Sequence, residues 1–216
     1  MELIEMTLDV MKYAIGRISA TEHQIGKPKK AEELKAIVGE TVTAKGVGGE
    51  YAFNLWKEHL SKANVPVDHP RNLAFVPASP TRAAIMFDLV TSASSIHGAY
   101  WMEGAGGIFC ENEAMSWIVS LTGLPAGAFG VFTSGGTAAN LSAIVTAREF
   151  WRRDDIYKRE KGLIITSIGA HSSIKAMAKV ADVDILLVDT EERLTGSDLR
   201  NTIEGLNFHQ RKRLFA

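Results

Sequence analysis

The sequence predicts an α/β domain built on a parallel sheet and preceded by an N-terminal helical segment. Three observations predict it. In the C-terminal half, short strand-like runs ("GVFTS", "GLIITS", "VDILLVD") alternate with longer runs of helix formers ("GGTAANLSAIVTAREFWRR", "HSSIKAMAKVA"). That alternation is the pattern of βαβ units, whose strands lie parallel with helices on the sheet's faces. At the other end, Ile4, Leu8, Met11, Ile15 and Ile18 are spaced four, three, four and three apart, one apolar stripe on an amphipathic helix. Finally, 216 residues, 46% hydrophobic and 23% charged with a formal net charge of -1, suit one globular domain with its own core.

Taken in order, the first helix must dock either on its own domain or on a partner chain, and periodicity does not choose between them. A polar, proline-punctuated stretch follows ("ATEHQIGKPKKAEELKAIVGE"), and then "AKGVGGE", whose three glycines mark a hinge. The expected division is therefore a helical segment at 1–46 and the start of a larger domain at 47–216. "EYAFNLWKEHLSKA" predicts a helix with Phe53, Trp56 and Leu60 on one face, and the four prolines of "VPVDHPRNLAFVPASP" predict an extended connector. Helix resumes from Thr81 to Val90. It recurs in "CENEAMSWIVSLTGLP", with Cys110, Ala114, Trp117, Ile118 and Leu121 on one face, until Gly123 and Pro125 stop it.

The turn between "GVFTS" and the helix from about Thr137 is the first candidate site. In an open parallel sheet, ligands bind where strand carboxyl ends meet helix starts. Free N–H groups and the positive end of the helix dipole favour an anion there, glycines admit it closely, and hydroxyls add hydrogen bonds. Gly130-x-x-x-x-Gly135-Gly136-Thr137 comes one residue from a Walker A loop, but Gly136 stands where the lysine for the β and γ phosphates would be. The turn thus suits a single phosphate group; the bland reading is an ordinary turn capped by Ser134 or Thr137. His171 adds a second element, because it follows "GLIITS" and directly precedes a helix, at the same edge of the sheet. It could stack on a planar ligand or move protons, or simply cap its helix.

Three segments in this order, "HPRNLAFVPASP", "LTGLPAGAFGVFTSGGTAANLSAIVTAR" and "AHSSIKAMAKVADVDILLVDTEE", resemble the N-terminal half of the group II pyridoxal 5'-phosphate-dependent amino-acid decarboxylases. The resemblance runs from about Val65 to the end, and the first helix is similar in kind to that family's dimerising segment. It implies an aspartate aminotransferase-like (type I) large domain, here incomplete, and a homodimer with active sites at the subunit interface. It also implies that Gly135, Gly136 and Thr137 hold the cofactor phosphate, and that His171 stacks on the pyridine ring and acts near the reacting carbon. Phe75 and Pro77 fall in the family's substrate-side loop, or merely shape the connector.

The chemistry requires a lysine bonded to the cofactor aldehyde and a carboxylate that keeps the ring nitrogen protonated. The resemblance puts both beyond Ala216, so the chain is expected to be a fragment, inactive alone, ending in a basic turn and the first residues of a strand ("RKRLFA"). Lys175, four residues after His171, reads as a solvated helix position, and neither Asp184 nor Asp189 matches the family's pyridine partner. The expected activity of the complete protein is loss of the α-carboxylate of an L-amino acid as CO₂. The alternatives are carbon–carbon cleavage on the same scaffold, or a non-catalytic binding or assembly protein of the same fold. Other classes are disfavoured. The net charge and the short run "HQRKR" give no nucleic-acid surface, and six histidines with one cysteine show no metal-site spacing. No apolar run approaches the ~20 residues of a membrane span. A lone Cys110 and no basic-then-apolar leader predict a cytoplasmic location.

Overall fold

A computed structural model describes residues 3–21, 25–74, 76, 78–154, 157, 159–190 and 193–216. The chain forms two compact units, Met1–Glu103 and Gly104–Ala216. In the first, helix α1 (Leu3–Ser19) is held at its C-terminal end. The Arg17 guanidinium forks onto the Asp68 carboxylate through Nε–Oδ2 at 3.0 Å and Nη2–Oδ1 at 2.5 Å, and Tyr13 meets Phe53 edge-on at 5.8 Å. The helix therefore docks within its own unit through Tyr13 and Arg17, which lie off the predicted stripe, while Ile4, Leu8 and Ile15 of the stripe stay 69%, 53% and 54% exposed. Helix α2 (Ala31–Val38) forms inside the stretch read only as polar and proline-punctuated. Helix α3 (Gly49–Leu55) continues into a π turn at Trp56–Leu60 and a 3₁₀ turn at Ser61–Ala63. Helix α4 (Arg82–Ala93) starts where Thr81 accepts a hydrogen bond from the Ala84 N–H, the side-chain cap expected of a helix-opening threonine.

The second unit contains most of α5 (Trp101–Thr122), whose helical geometry is interrupted at Gly104 (φ −131°, ψ 23°). Helix α6 (Gly136–Trp151), strand β1 (Leu163–Ser167), helix α7 (Ser172–Val180) and strand β2 (Asp184–Val188) follow as predicted. The two strands pair in parallel from Leu163↔Asp184 to Ser167↔Val188. Helices α8 (Gly196–Gly205) and α9 (Phe208–Arg213) come next, and the predicted basic turn is the latter helix. Beyond it the apolar end does become strand-like. Leu214 bridges Leu163 in parallel, the Phe215 N–H donates to the Leu163 carbonyl, and the Ile165 N–H donates to that of Ala216.

The core lies where α6 and α7 pack with the sheet: Ile144, Ile164, Ala178, Ala181 and Val183 are buried, with Leu141, Ile174, Ile185 and Phe215 packed against them. Full burial of each large aliphatic side chain contributes about 1.5–3 kcal/mol. The Arg148 guanidinium also donates to the Ala181 carbonyl, tying α6 to the end of α7. Gly162 leaves space that a side chain would lose: a Cβ there would sit 2.4 Å from the Phe215 ring, itself stacked on Trp151.

One expectation is corrected. Residues 130–133 form no strand among the described residues. Their β-favouring composition is a local signal, whereas a strand also needs a ladder partner, and β1 is bonded to β2 and to the Leu214 segment instead. The predicted apolar face of α5 is 65% exposed at Trp117 and 66% exposed at Leu121, whereas Met115 on the same helix is buried.

Candidate functional site

The glycine turn stands open at the start of α6. Gly135 is its N-cap at φ 157°, ψ 166°, a backbone conformation that side chains with a Cβ seldom adopt. Neither Ser134 nor Thr137 caps the helix, contrary to the bland reading. The first intrahelical bond runs from the Ala139 N–H to the Gly135 carbonyl, so the N–H groups before it have no partner within the helix. A Cβ at Gly135 or Gly136 would meet nothing within 4 Å, and Thr137 is exposed. The Thr133 hydroxyl donates to the Gly135 carbonyl at 3.1 Å, which closes the turn from behind. An uncapped, unobstructed first turn of a 16-residue helix is what a phosphate group requires.

His171 follows β1 at its carboxyl end and caps α7: its Nδ1 accepts from the Ser173 N–H at 3.2 Å. Capping uses only Nδ1, the ring is exposed, and among the described residues Nε2 makes no hydrogen bond. One link between the two elements escaped sequence reasoning. Asn140, one turn into α6, donates through Nδ2 to the Ser173 hydroxyl at 2.8 Å, and that hydroxyl lies 2.8 Å from His171 Nδ1. The available signal was an asparagine inside a run of helix formers, where its propensity is poor.

Of the other titratable residues, Asp189 follows β2 at this same carboxyl edge, because β1 and β2 pair in parallel. Lys175 is exposed on α7, as expected, and Asp189 is exposed after β2. Asp184 opens β2 at the amino end of the sheet, where Lys161 Nζ lies 3.0 Å from it and Arg213 pairs with its other oxygen. The hydrogen bond from Lys161 holds its carboxyl below the ordinary range against the opposing effect of burial, with further lowering from Arg213. Phe75 and Pro77 lie outside the described residues. Ala78, Ser79 and Pro80, which follow them, line a cleft of about 630 Å³ in the first unit with Tyr13, Trp56 and Arg82. Among the described residues no cluster of histidine, cysteine and carboxylates could hold a metal ion, and no helix is long and apolar enough to cross a membrane.

Comparison with known proteins bears on the family and the fold. The chain is 34% identical over 164 residues to an aromatic-L-amino-acid decarboxylase of Bacillus atrophaeus, an alignment covering 74% of this chain and 34% of that protein. It is 25% identical over 131 residues to an L-2,4-diaminobutyrate decarboxylase of Acinetobacter baumannii, covering 61% and 26%. Among solved structures, Oryza sativa TDC with PLP and tryptamine superposes with a TM-score of 0.80 at 18% identity, covering 94% of this chain and 45% of that one. The glutamate decarboxylase domain of a Vibrio parahaemolyticus diaminobutyrate-pyruvate transaminase and L-2,4-diaminobutyrate decarboxylase gives 0.76 at 19% identity, covering 93% and 46%. The shared fold is that of the large domain of these enzymes, in part, and the chain spans less than half the length of each of these relatives. The model of the pyridoxal-dependent decarboxylase conserved domain matches residues 56–209, more than half of the chain, and the chain belongs to that family.

Proposed function

We propose that the complete protein is a pyridoxal 5'-phosphate-dependent decarboxylase of an L-amino acid, and that this chain supplies the phosphate cradle and the ring-stacking histidine. The observation that carries the reading is the uncapped start of α6, joined through Asn140 and Ser173 to a histidine at the end of the neighbouring strand. Backbone N–H groups at Gly136 and Thr137 and the Thr137 hydroxyl would donate to the phosphate, and Gly135 lets it approach without a Cβ in the way. The exposed imidazole of His171 would lie against the ring and fix its tilt. When bound, pyridoxal phosphate supplies an electron-accepting ring that takes up the bonding electrons left as the carboxylate departs as CO₂. Phe75 and Pro77 belong to the substrate side in this reading.

A second copy of the chain is the partner we assign to the exposed apolar faces of α1 and α5, at Ile4, Leu8, Trp117 and Leu121. Surfaces of that kind in one chain mark an association site.

Titration of the chain with pyridoxal phosphate and with pyridoxal, followed by ligand absorbance, tests the cradle. The phosphate ester should bind at least about tenfold more tightly, the difference expected for a charge-assisted set of hydrogen bonds. Thr137→Val should erase part of that difference, whereas His171→Ala should weaken both ligands alike. Equal affinity for the two ligands would remove the phosphate cradle from the reading.

A further inference from the structure

The direction of every hydrogen bond around His171 follows from one fixed donor. A backbone N–H can only donate, so the Ser173 N–H at 3.2 Å requires a lone pair on His171 Nδ1. The neutral ring then carries its proton on Nε2. The Ser173 hydroxyl, 2.8 Å from the same Nδ1, must donate as well, which leaves its oxygen lone pairs for another group. Asn140 fills that place, with Nδ2 donating to the Ser173 Oγ at 2.8 Å. The opposite amide orientation would put the Asn140 carbonyl against the hydroxyl, compete for its only hydrogen, and turn Oγ lone pairs toward Nδ1. Ser173 is only 5% exposed, so water is poorly placed to rescue a broken link.

We infer that Asn140 and Ser173 are positioning residues for His171: a relay from α6 that locks the imidazole as its Nε2–H tautomer and presents an N–H donor to the ligand. Asn140 stands one turn beyond Gly136 and Thr137 on the same helix, so the phosphate cradle and the ring-holding histidine share one rigid support. The role assigned to His171 rests on the reading in the preceding section; the relay itself does not.

Nitrogen-15 NMR of the full chain, labelled at histidine and recorded above the histidine titration range, reads the tautomer directly, with His171→Gln identifying the signals. Wild type should show a pyrrole-like Nε2 and a pyridine-like Nδ1. In Asn140→Asp the carboxylate should take the Ser173 hydroxyl hydrogen and shift the population toward Nδ1–H, while Ser173→Thr, which keeps the hydroxyl, should retain the wild-type pattern. A wild-type Nδ1–H tautomer would overturn the relay whatever the variants do. So would an unchanged pattern in an Asn140→Asp chain that keeps its amide spectrum. Pyridoxal phosphate affinity supplies the second readout. Asn140→Ala should weaken it about fivefold, the worth of one neutral hydrogen bond, and should have no effect in a His171→Ala background. Additive losses would mean that Asn140 acts independently of His171. Failure of the chain to bind the cofactor would count against the functional reading alone, because the tautomer is measured without it.

Discussion

Helix α5 and the α6–β1–α7–β2 layer come from the same kind of apolar patterning, yet they end differently. The layer closes on itself: Ile144, Ile164, Ala178, Ala181 and Val183 are buried together within about forty residues of sequence. The face of α5 built from Trp117, Ile118 and Leu121 remains exposed over a 22-residue helix. Periodicity says that a face is apolar and fixes its direction on the element. What covers it is decided elsewhere, by the next element of the layer in one case and by nothing among the described residues in the other.

The sharpest way to break that comparison is to truncate one residue from each region. Ile164→Ala should lower the unfolding free energy by about 2–4 kcal/mol at any protein concentration, because it removes a buried side chain and leaves a cavity. Trp117→Ala should change unfolding of the dissociated chain by no more than about 0.5 kcal/mol, yet weaken self-association measured by sedimentation. If both substitutions cost the same in dilute urea titrations, α5 is covered within its own chain and the contrast fails.

A smaller effect separates two helices that cap themselves from α6, which is left open. Thr195 and Asp198 form a reciprocal capping box at the start of α8, and Asn207 and Gln210 form another at α9. Thr195→Ala should cost about 1 kcal/mol, read from the urea midpoint. Ser134→Ala, beside the uncapped start of α6, should cost nothing measurable, and an equal loss there would mean that the turn is capped by its own side chain.

These elements also mark what was legible in the sequence. The layer was readable because each strand and helix is short, strongly patterned and paired with its neighbour in sequence. The capping boxes of α8 and α9 were equally present as Thr195-x-x-Asp198 and Asn207-x-x-Gln210 but stood in polar surroundings without a strong apolar stripe, so the helices were overlooked. Helix α2 hid for the same reason, since none of its residues is buried. Residues 130–133 failed the other way, because local composition cannot say whether a ladder partner exists. At the candidate site, the sequence points to Gly135, Gly136 and Thr137 as turn chemistry at a helix start and to His171 as a residue between a strand and a helix, and only the strand expected before the glycines is missing among the described residues. Asn140 and Ser173 were not legible, since their importance arises only when α6 and α7 lie side by side.

The smallest effect concerns the opposite end of the sheet, where the layer is held by charge as well as by packing. Asp184 bridges Lys161 and Arg213, and Arg213 Nε also donates to the Lys161 carbonyl at 2.6 Å, so the start of β2, the segment before β1 and the end of α9 meet at one carboxylate. Lys161 lowers the Asp184 pKa most, and Asp184 in turn raises that of Lys161. A depressed carboxyl contributes stability that is fully present above its unfolded value of about 4 and is lost as pH falls through the lower folded value. A raised ammonium contributes stability below its unfolded value of about 10.4, lost as pH rises through the higher folded one. The pair therefore supports a plateau between those limits, with the losses outside it. The Asp184 side chain is 42% exposed, so solvent and salt screen the interaction and the loss on the acid side should be modest. Urea titrations across the acid range should show wild type losing stability below about pH 4 more steeply than Asp184→Asn, with the difference shrinking at high salt. Parallel curves for the two proteins would leave the closure of this layer to its apolar core alone.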